Sequence, residues 1–306
     1  MYEYRIYVRF IYCIPSCVLY VYVLIALFKE RRGAAGQFYS LLMVQALLNV
    51  CVFINSLYMV QIANITNENS PWSGIYNRTP LRITSILHCF KVHFAFVQNY
   101  MSFFVSLYRM TVIVFPTTYV TIWNYGFPAS VAITLLTPFI SVHPLLTHSS
   151  HFVISKSTDC FDVISTAHVG AIMGDLFIFL TVLLVVTSLV NCVSVTLLFL
   201  RSKRYHDRAE RNMFILAFLD FLIQLTFYVL YAIIYKRADK HGTADFLVPY
   251  ASDVITFSNA YLLIILNKKI RRDVLFLVKC RGTTAKSTTT VSRLPLGPTV
   301  FSSRAT

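Results

Sequence analysis

Five ionisable side chains stand inside or at the ends of long apolar runs: Lys91, Arg109, Asp175, Asp220 and Asp253. A charge near the centre of a membrane helix costs roughly 2.5–3.5 kcal/mol on insertion scales, so it is retained where it faces a bundle interior and meets a partner. Lys91, Asp175 and Asp253 lie about five, six and seven residues from one end of their runs, which sets all three roughly 8–10 Å deep. One lysine facing two carboxylates leaves an acid over. With Phe94, Tyr250 and Phe257 nearby, that excess suits a small cationic or hydrogen-bond-donating ligand better than an anion. Arg109 ends its run at the opposite boundary, where its stem can lie in lipid while the guanidinium reaches water. The acids available to it there are Glu210 and, second, Asp220, in a contact that breaks when the helices separate.

Catalytic chemistry is not indicated. The chain has no GxSxG, HExxH or phosphate-cradling glycine loop, and only 9 glycines in all. His88 and His93 are five apart, which turns them to different faces of a helix, and the 7 cysteines form no CxxC pair. Neither a metal nor a cofactor is expected.

The elements that must position these residues follow from composition. Of 306 residues, 57% are hydrophobic and 13% charged, about half the charge of an ordinary soluble domain. The balance of 27 Lys and Arg against 13 Asp and Glu is no nucleic-acid patch, because the bases cluster in short stretches between apolar runs. A helix needs roughly 20 apolar residues to cross the hydrocarbon. Seven such runs are predicted, over 10–28, 37–63, 86–108, 125–146, 169–200, 213–235 and 246–266, the fifth projecting into water. The fold class is therefore all-α, a seven-helix transmembrane bundle.

Lys and Arg are retained on the cytoplasmic side. Placing Lys29 to Arg32, Arg109, Arg201 to Arg211 and the bases after residue 266 inside leaves 18 of the 27 there, with the N-terminus outside. Asn64-Ile65-Thr66 is then a glycosylation sequon in an outer loop. Asn77-Arg78-Thr79 is a second, made poor by Pro80. Residues 267–280 place Ile270, Val274 and Leu277 opposite Lys269, Arg272 and Asp273, as in a helix lying in the inner interface against anionic lipid. The seven-helix membrane domain thus covers 1–280, and residues 281–306 form a Ser/Thr-rich cytoplasmic tail expected to be disordered.

Within this frame, YCIPSCVLYVYVLIALFK (12–29), SLYRMTVIVFP (106–116) with Trp123 after it, and LNKKIRRDVL (266–275) resemble the nematode chemoreceptors of serpentine receptor class gamma. The likeness runs from residue 12 to about 280. It departs at Tyr108, where the family is expected to carry asparagine. The resemblance implies a G-protein-coupled receptor for a small extracellular ligand in the membrane of sensory neurons, acting on a heterotrimeric G protein. The general receptor plan also places a disulfide at positions comparable to Cys89 and Cys160. A secondary transporter is the rival reading, but inverted repeats and glycine- or proline-broken helices in both halves are not evident.

Overall fold

A computed structural model describes residues 3–31, 36–155, 159–201, 208–236 and 243–283. Its elements are α1 (Glu3–Glu30), α2 (Gly36–Ser56), a π-helical stretch (Leu57–Ile62), a 3-10 turn (Ala63–Ile65), α3 (Ser73–Arg78), α4 (Leu81–Val114), α5 (Tyr119–Leu136), α6 (Phe139–Val142) and α7 (Pro144–Thr147). After these come β1 (Ser150–Ile154), β2 (Phe161–Ser165), α8 (Val169–Arg201), α9 (Arg208–Lys236), α10 (Thr243–Leu266) and α11 (Lys268–Thr283). Among the described residues seven long helices form the bundle, α1, α2, α4, α5, α8, α9 and α10, with α11 following as a short amphipathic helix. Four of them, α1, α2 with its π-helical extension, α5 with α6, and α8, contain stretches long and apolar enough to cross a membrane; shorter apolar stretches occupy Ile215–Leu230 and Tyr250–Leu266. Ile11, Ile14, Ile54, Ile140, Ile178, Leu189 and Ile265 are exposed on the outside of the bundle, the surface that an apolar solvent would cover.

The third long helix starts five residues before the predicted span and ends six after it, carrying Arg109 inside a helical turn rather than at its end. The predicted fourth span is one helix only to Leu136. Pro138 and Pro144 then break it into two single turns, because neither residue supplies an N–H to the helical ladder. The segment between α7 and α8 folds as an antiparallel hairpin, Ser150 paired with Ser165 and Ile154 with Phe161. Its anchor is aromatic: Tyr76 of α3 stacks on Phe161 at 5.2 Å and Tyr58 at 5.3 Å and meets Phe152 edge-on at 4.7 Å.

At the other end of the bundle, α11 lies across the end of α1. Ile270 and Val274 are buried against the core, and the contact is closed by two crossed ion pairs: Lys29 with Asp273 at 3.3 Å, and Lys269 with Glu30. Glu30 and Asp273 are themselves buried. The Glu30 carboxylate, as hydrogen-bond acceptor, holds the Lys269 ammonium above its ordinary pKa. Asn267 caps α11, its Oδ1 accepting from the N–H of Lys269 at 3.0 Å and of Ile270 at 3.2 Å.

Removing Lys269 leaves the buried Glu30 carboxylate without its partner. Lys269→Ala should cost about 1–3 kcal/mol in the thermal unfolding of the purified protein, whereas Lys268→Ala, on the exposed face, should cost under about 0.5 kcal/mol. The swapped pair Glu30→Lys with Lys269→Glu should recover part of the loss. Equal melting of the two alanine variants would remove the clasp from the account.

Candidate functional site

A nearly continuous file of interior polar residues is drawn from α1, α2, α4, α9 and α10. At the hairpin end Asp253 of α10 accepts hydrogen bonds from Tyr12 of α1 (2.7 Å) and from Gln61 of the π-helical stretch (3.0 Å). One turn further in, Thr256 O accepts from the Tyr20 hydroxyl (2.8 Å) and from Asn49 Nδ2 (3.2 Å). Gln98 of α4 donates to Asn49 Oδ1 at 3.1 Å and to Thr256 Oγ1 at 3.3 Å. Deeper still, Asp220 of α9 accepts from Ser102 at 2.5 Å and is also bonded by Gln45 and Asn259. All three acceptor layers are buried.

Each member is placed by helical spacing. Gln45 and Asn49 are four apart on α2, as are Gln98 and Ser102 on α4, so each pair shares a face. The π-helical stretch shifts this phase beyond Ser56, which lets Gln61 reach Asp253.

Below the file the chemistry changes from amide to aromatic. Arg109 is only 7% exposed, and its guanidinium carbon stands 3.5 Å above the ring of Phe38 at the start of α2. Tyr108 packs on Phe38 at 5.2 Å and on Trp123 at 5.0 Å, while Trp123 Nε1 donates to Thr111 Oγ1 at 2.6 Å. Arg109 therefore does not reach water from a lipid-covered stem. It is held within the bundle by the π face of Phe38, an attraction worth up to about 2 kcal/mol where water is excluded.

The predicted site residues fall into separate places. Lys91 and Asp175 are exposed, and the acid that acts on Lys91 is Asp162 of β2. They do not join Asp253, because their depths along the helices match while their faces do not. Phe257 packs against Tyr20 and Phe53 in the core, Phe94 stacks on Phe90 along the α4 surface, and Tyr250 is half-buried. Asp220 is committed to Ser102, two turns or about 10 Å along α4 from Arg109. Glu210 belongs to α9, with its side chain outside the described residues, as is the chain from 284 on. Cys89 and Cys160 are separate buried thiols, Cys89 turned toward Val142 O at 3.7 Å. Burial, with Asp159 beside it, raises the pKa of Cys160. Asn64 is exposed in its 3-10 turn, whereas the sequon's Thr66 is buried and bonded to Ile62 O.

Tyr12, Gln45, Asn49, Gln61, Gln98, Ser102 and Asn259 were not singled out from the sequence. The available signal was uncharged: amides recurring at helical spacing inside apolar runs need partners as carboxylates do. Phe38 carried no such signal, since one more phenylalanine in an apolar run is unremarkable.

A helical bundle with a buried polar file, clasped at one end and capped by a hairpin at the other, defines the class: a multi-pass membrane protein of serpentine type. The chain belongs to the Srg family of chemoreceptors, whose family model matches residues 6–274. It is 25% identical over 302 residues to serpentine receptor class gamma-31 of Caenorhabditis elegans, covering 92% of this chain and 94% of that one. It is 22% identical over 285 residues to serpentine receptor class gamma-2 of the same organism, covering 89% and 84%.

The Ser102–Asp220 contact should appear as a coupling. In a double-mutant cycle of Ser102→Ala and Asp220→Asn, followed by thermal unfolding, a non-additivity of about 0.6–1.7 kcal/mol is expected. Additivity of the two losses would mean that the bond does not tie α4 to α9.

Proposed function

We propose that this chemoreceptor is a G-protein-coupled receptor with its N-terminus and hairpin end outside the cell and its α11 end in the cytosol. It takes a small ligand from the outer side and acts on a heterotrimeric G protein at the inner side, in the plasma or ciliary membrane of sensory neurons. The distribution of Lys and Arg supports the orientation, since the bases of the first and third inner loops and of α11 fall on one side. The observation that carries the reading is the buried guanidinium of Arg109. A buried guanidinium that lies on the aromatic face of a neighbouring helix can exchange between two states: over Phe38 with the bundle closed, and toward a partner when the α11 end opens. Glu210, on the α9 segment at that same end, is the acid that joins the closed state in this proposal. At the outer side Asp253 is the carboxylate that a donor-bearing ligand engages, in competition with Tyr12 and Gln61.

Two measurements test the two ends. At matched surface expression, Arg109→Ala should lower maximal G-protein activation, while Glu210→Ala raises ligand-free activity. Phe38→Leu should also raise it, roughly fivefold for the loss of about 1 kcal/mol of cation–π attraction. Variants that all signal like the parent would leave Arg109 as a structural anchor. Once an activating compound is identified, Asp253→Asn should raise its half-maximal concentration about tenfold, the effect of one charge-assisted hydrogen bond. Unchanged potency would remove Asp253 from the binding site.

A further inference from the structure

The segment that joins the 3-10 turn to α4 turns two arginines and a tryptophan outward. Arg78, in the last turn of α3, and Arg82, in the first turn of α4, are both exposed. So are Trp72, beside the start of α3, with 55% of its surface open, and Ile75, with 46%. Among the described residues neither a carboxylate nor a carbonyl bonds either guanidinium. Both stand at the end of the bundle that the charge count leaves poor in bases, so their presence there needs a local reason.

The opposite side of α3 is committed to the protein. Tyr76 is 3% exposed, stacks on Tyr58 and Phe161, and donates its hydroxyl to Tyr58 O at 3.0 Å. Thr79, just past the helix, is bonded to the Tyr58 hydroxyl at 2.8 Å and donates to Ile75 O at 2.7 Å. These contacts fix the rotation of α3, so that Ile75 and Arg78, three residues apart, share its outward side. They also fix its height. Tyr58 and Ile83 line the apolar gap between α2 and α4, where Ile54 and Ile83 are exposed on the lipid-facing surface. Thr79 is bonded to the first of these residues and precedes the second by four, so the turn from α3 to α4 crosses the upper edge of that surface. Arg82 stands only about 1.5 Å along the axis from Ile83. Its long stem spans the step from hydrocarbon to headgroup.

We infer that residues 72–83 form an interfacial anchor, in which Trp72 and Ile75 enter the boundary of the bilayer while Arg78 and Arg82 donate to the phosphate oxygens of phospholipid headgroups. Each part of the segment matches that one occupant. A planar guanidinium pairs with phosphate through two parallel N–H bonds, and an indole favours the level where its ring is dry and its N–H is wet. Acyl chains alone would leave both guanidiniums without acceptors, and water alone would leave Trp72 and Ile75 uncovered. The anchor goes beyond the receptor reading and requires neither ligand nor G protein. Through Tyr76 it also holds the hairpin and the π-helical stretch that carries Gln61 at one height on the membrane.

Tryptophan fluorescence tests it directly, because the chain has 2 tryptophans and the other, Trp123, is 3% exposed. The full-length protein is reconstituted in phosphatidylcholine vesicles. Quenching is then measured with lipids brominated near the top of the acyl chain, with lipids brominated near its end, and with aqueous acrylamide. The same measurements on Trp72→Phe supply the Trp123 contribution to be subtracted. Trp72 should be quenched most by the shallow bromines, less by the deep ones and least by acrylamide. Arg78→Gln combined with Arg82→Gln should shift quenching from the shallow bromines to acrylamide, and lysine at both positions should restore it. Quenching of Trp72 chiefly by acrylamide would overturn the proposal, as would quenching chiefly by the deep bromines or a glutamine variant that behaves like the parent. The depth profile of the unmodified protein stands even if the glutamine variant fails to fold. No signalling is read, so a negative result leaves the receptor reading standing.

Discussion

A carboxylate buried inside a helical bundle must find hydrogen-bond partners there, and Asp220 shows what that requires. Its oxygens draw Ser102 from α4, Gln45 from α2 and Asn259 from α10, so that one acid on α9 fixes the relative rotation of four helices. In water a serine or glutamine pointing elsewhere would lose little. Between apolar helices, each polar group that misses its partner carries the desolvation cost of a group with nothing to bond. The same constraint repeats at Asp253, which draws α1 and the π-helical stretch to α10. Between the two acids, Tyr20, Asn49, Gln98 and Thr256 bond one another, so the two sites belong to one file. Apolar contacts alone would let these helices slide and rotate, since leucine gains little by exchanging a lipid tail for another leucine.

At the α11 end the charges are handled by two different means. Glu30 and Asp273 are paired directly with lysines whose heads remain partly in solvent, an arrangement that suits an interface. Arg109 sits deeper, and its nearest cover is an aromatic face. A quadrupole attracts a cation without demanding that it be neutralised, so the guanidinium keeps its charge. Tyr108 belongs to this arrangement. Where the family resemblance anticipates an asparagine able to bond locally, the tyrosine packs between Phe38 and Trp123 and builds the wall beside Arg109.

Hydropathy and charge distribution made the seven helices and the amphipathic helix legible, because both report on the solvent around each segment. Depth along a helix was also legible, since it needs only counting. Azimuth was not. Lys91, Asp175 and Asp253 were placed together on depth and on the cost of exposing charge, yet Lys91 answers to Asp162 in a hairpin that no hydrophobic period announced. Short strands outside the membrane plane leave only a ten-residue trace, easily taken for a loop. The break of α5 at Pro138 was visible as a residue but not as an event, because proline within a membrane helix is often tolerated. The amide file lacked formal charge and so drew no notice, although it supplies most of the partners that the two acids use.

One segment belongs to both the file and the exposed apolar face of the bundle. On α2 and its extension, Gln45, Asn49 and Gln61 face the interior polar file, while Ile54 is exposed on the opposite, apolar face and Asn55 ties that side to α4 through Leu87 O. The π-helical stretch holds Tyr58 and Gln61 within six residues, so a change in its winding must move both. A ligand shifts an equilibrium only by the difference in its affinity for two states. Anything that favoured one winding of this turn would therefore change the hold of Gln61 on Asp253. Through Thr256 and Asn49, that change reaches the layer above Asp220. The file is a chain of discrete hydrogen bonds and not a compressible apolar core, so its response to a shift at one end is the exchange of one partner for another. The π-helical stretch, rather than the centre of the bundle, is therefore where a local change of backbone has the shortest mechanical route to the buried acids.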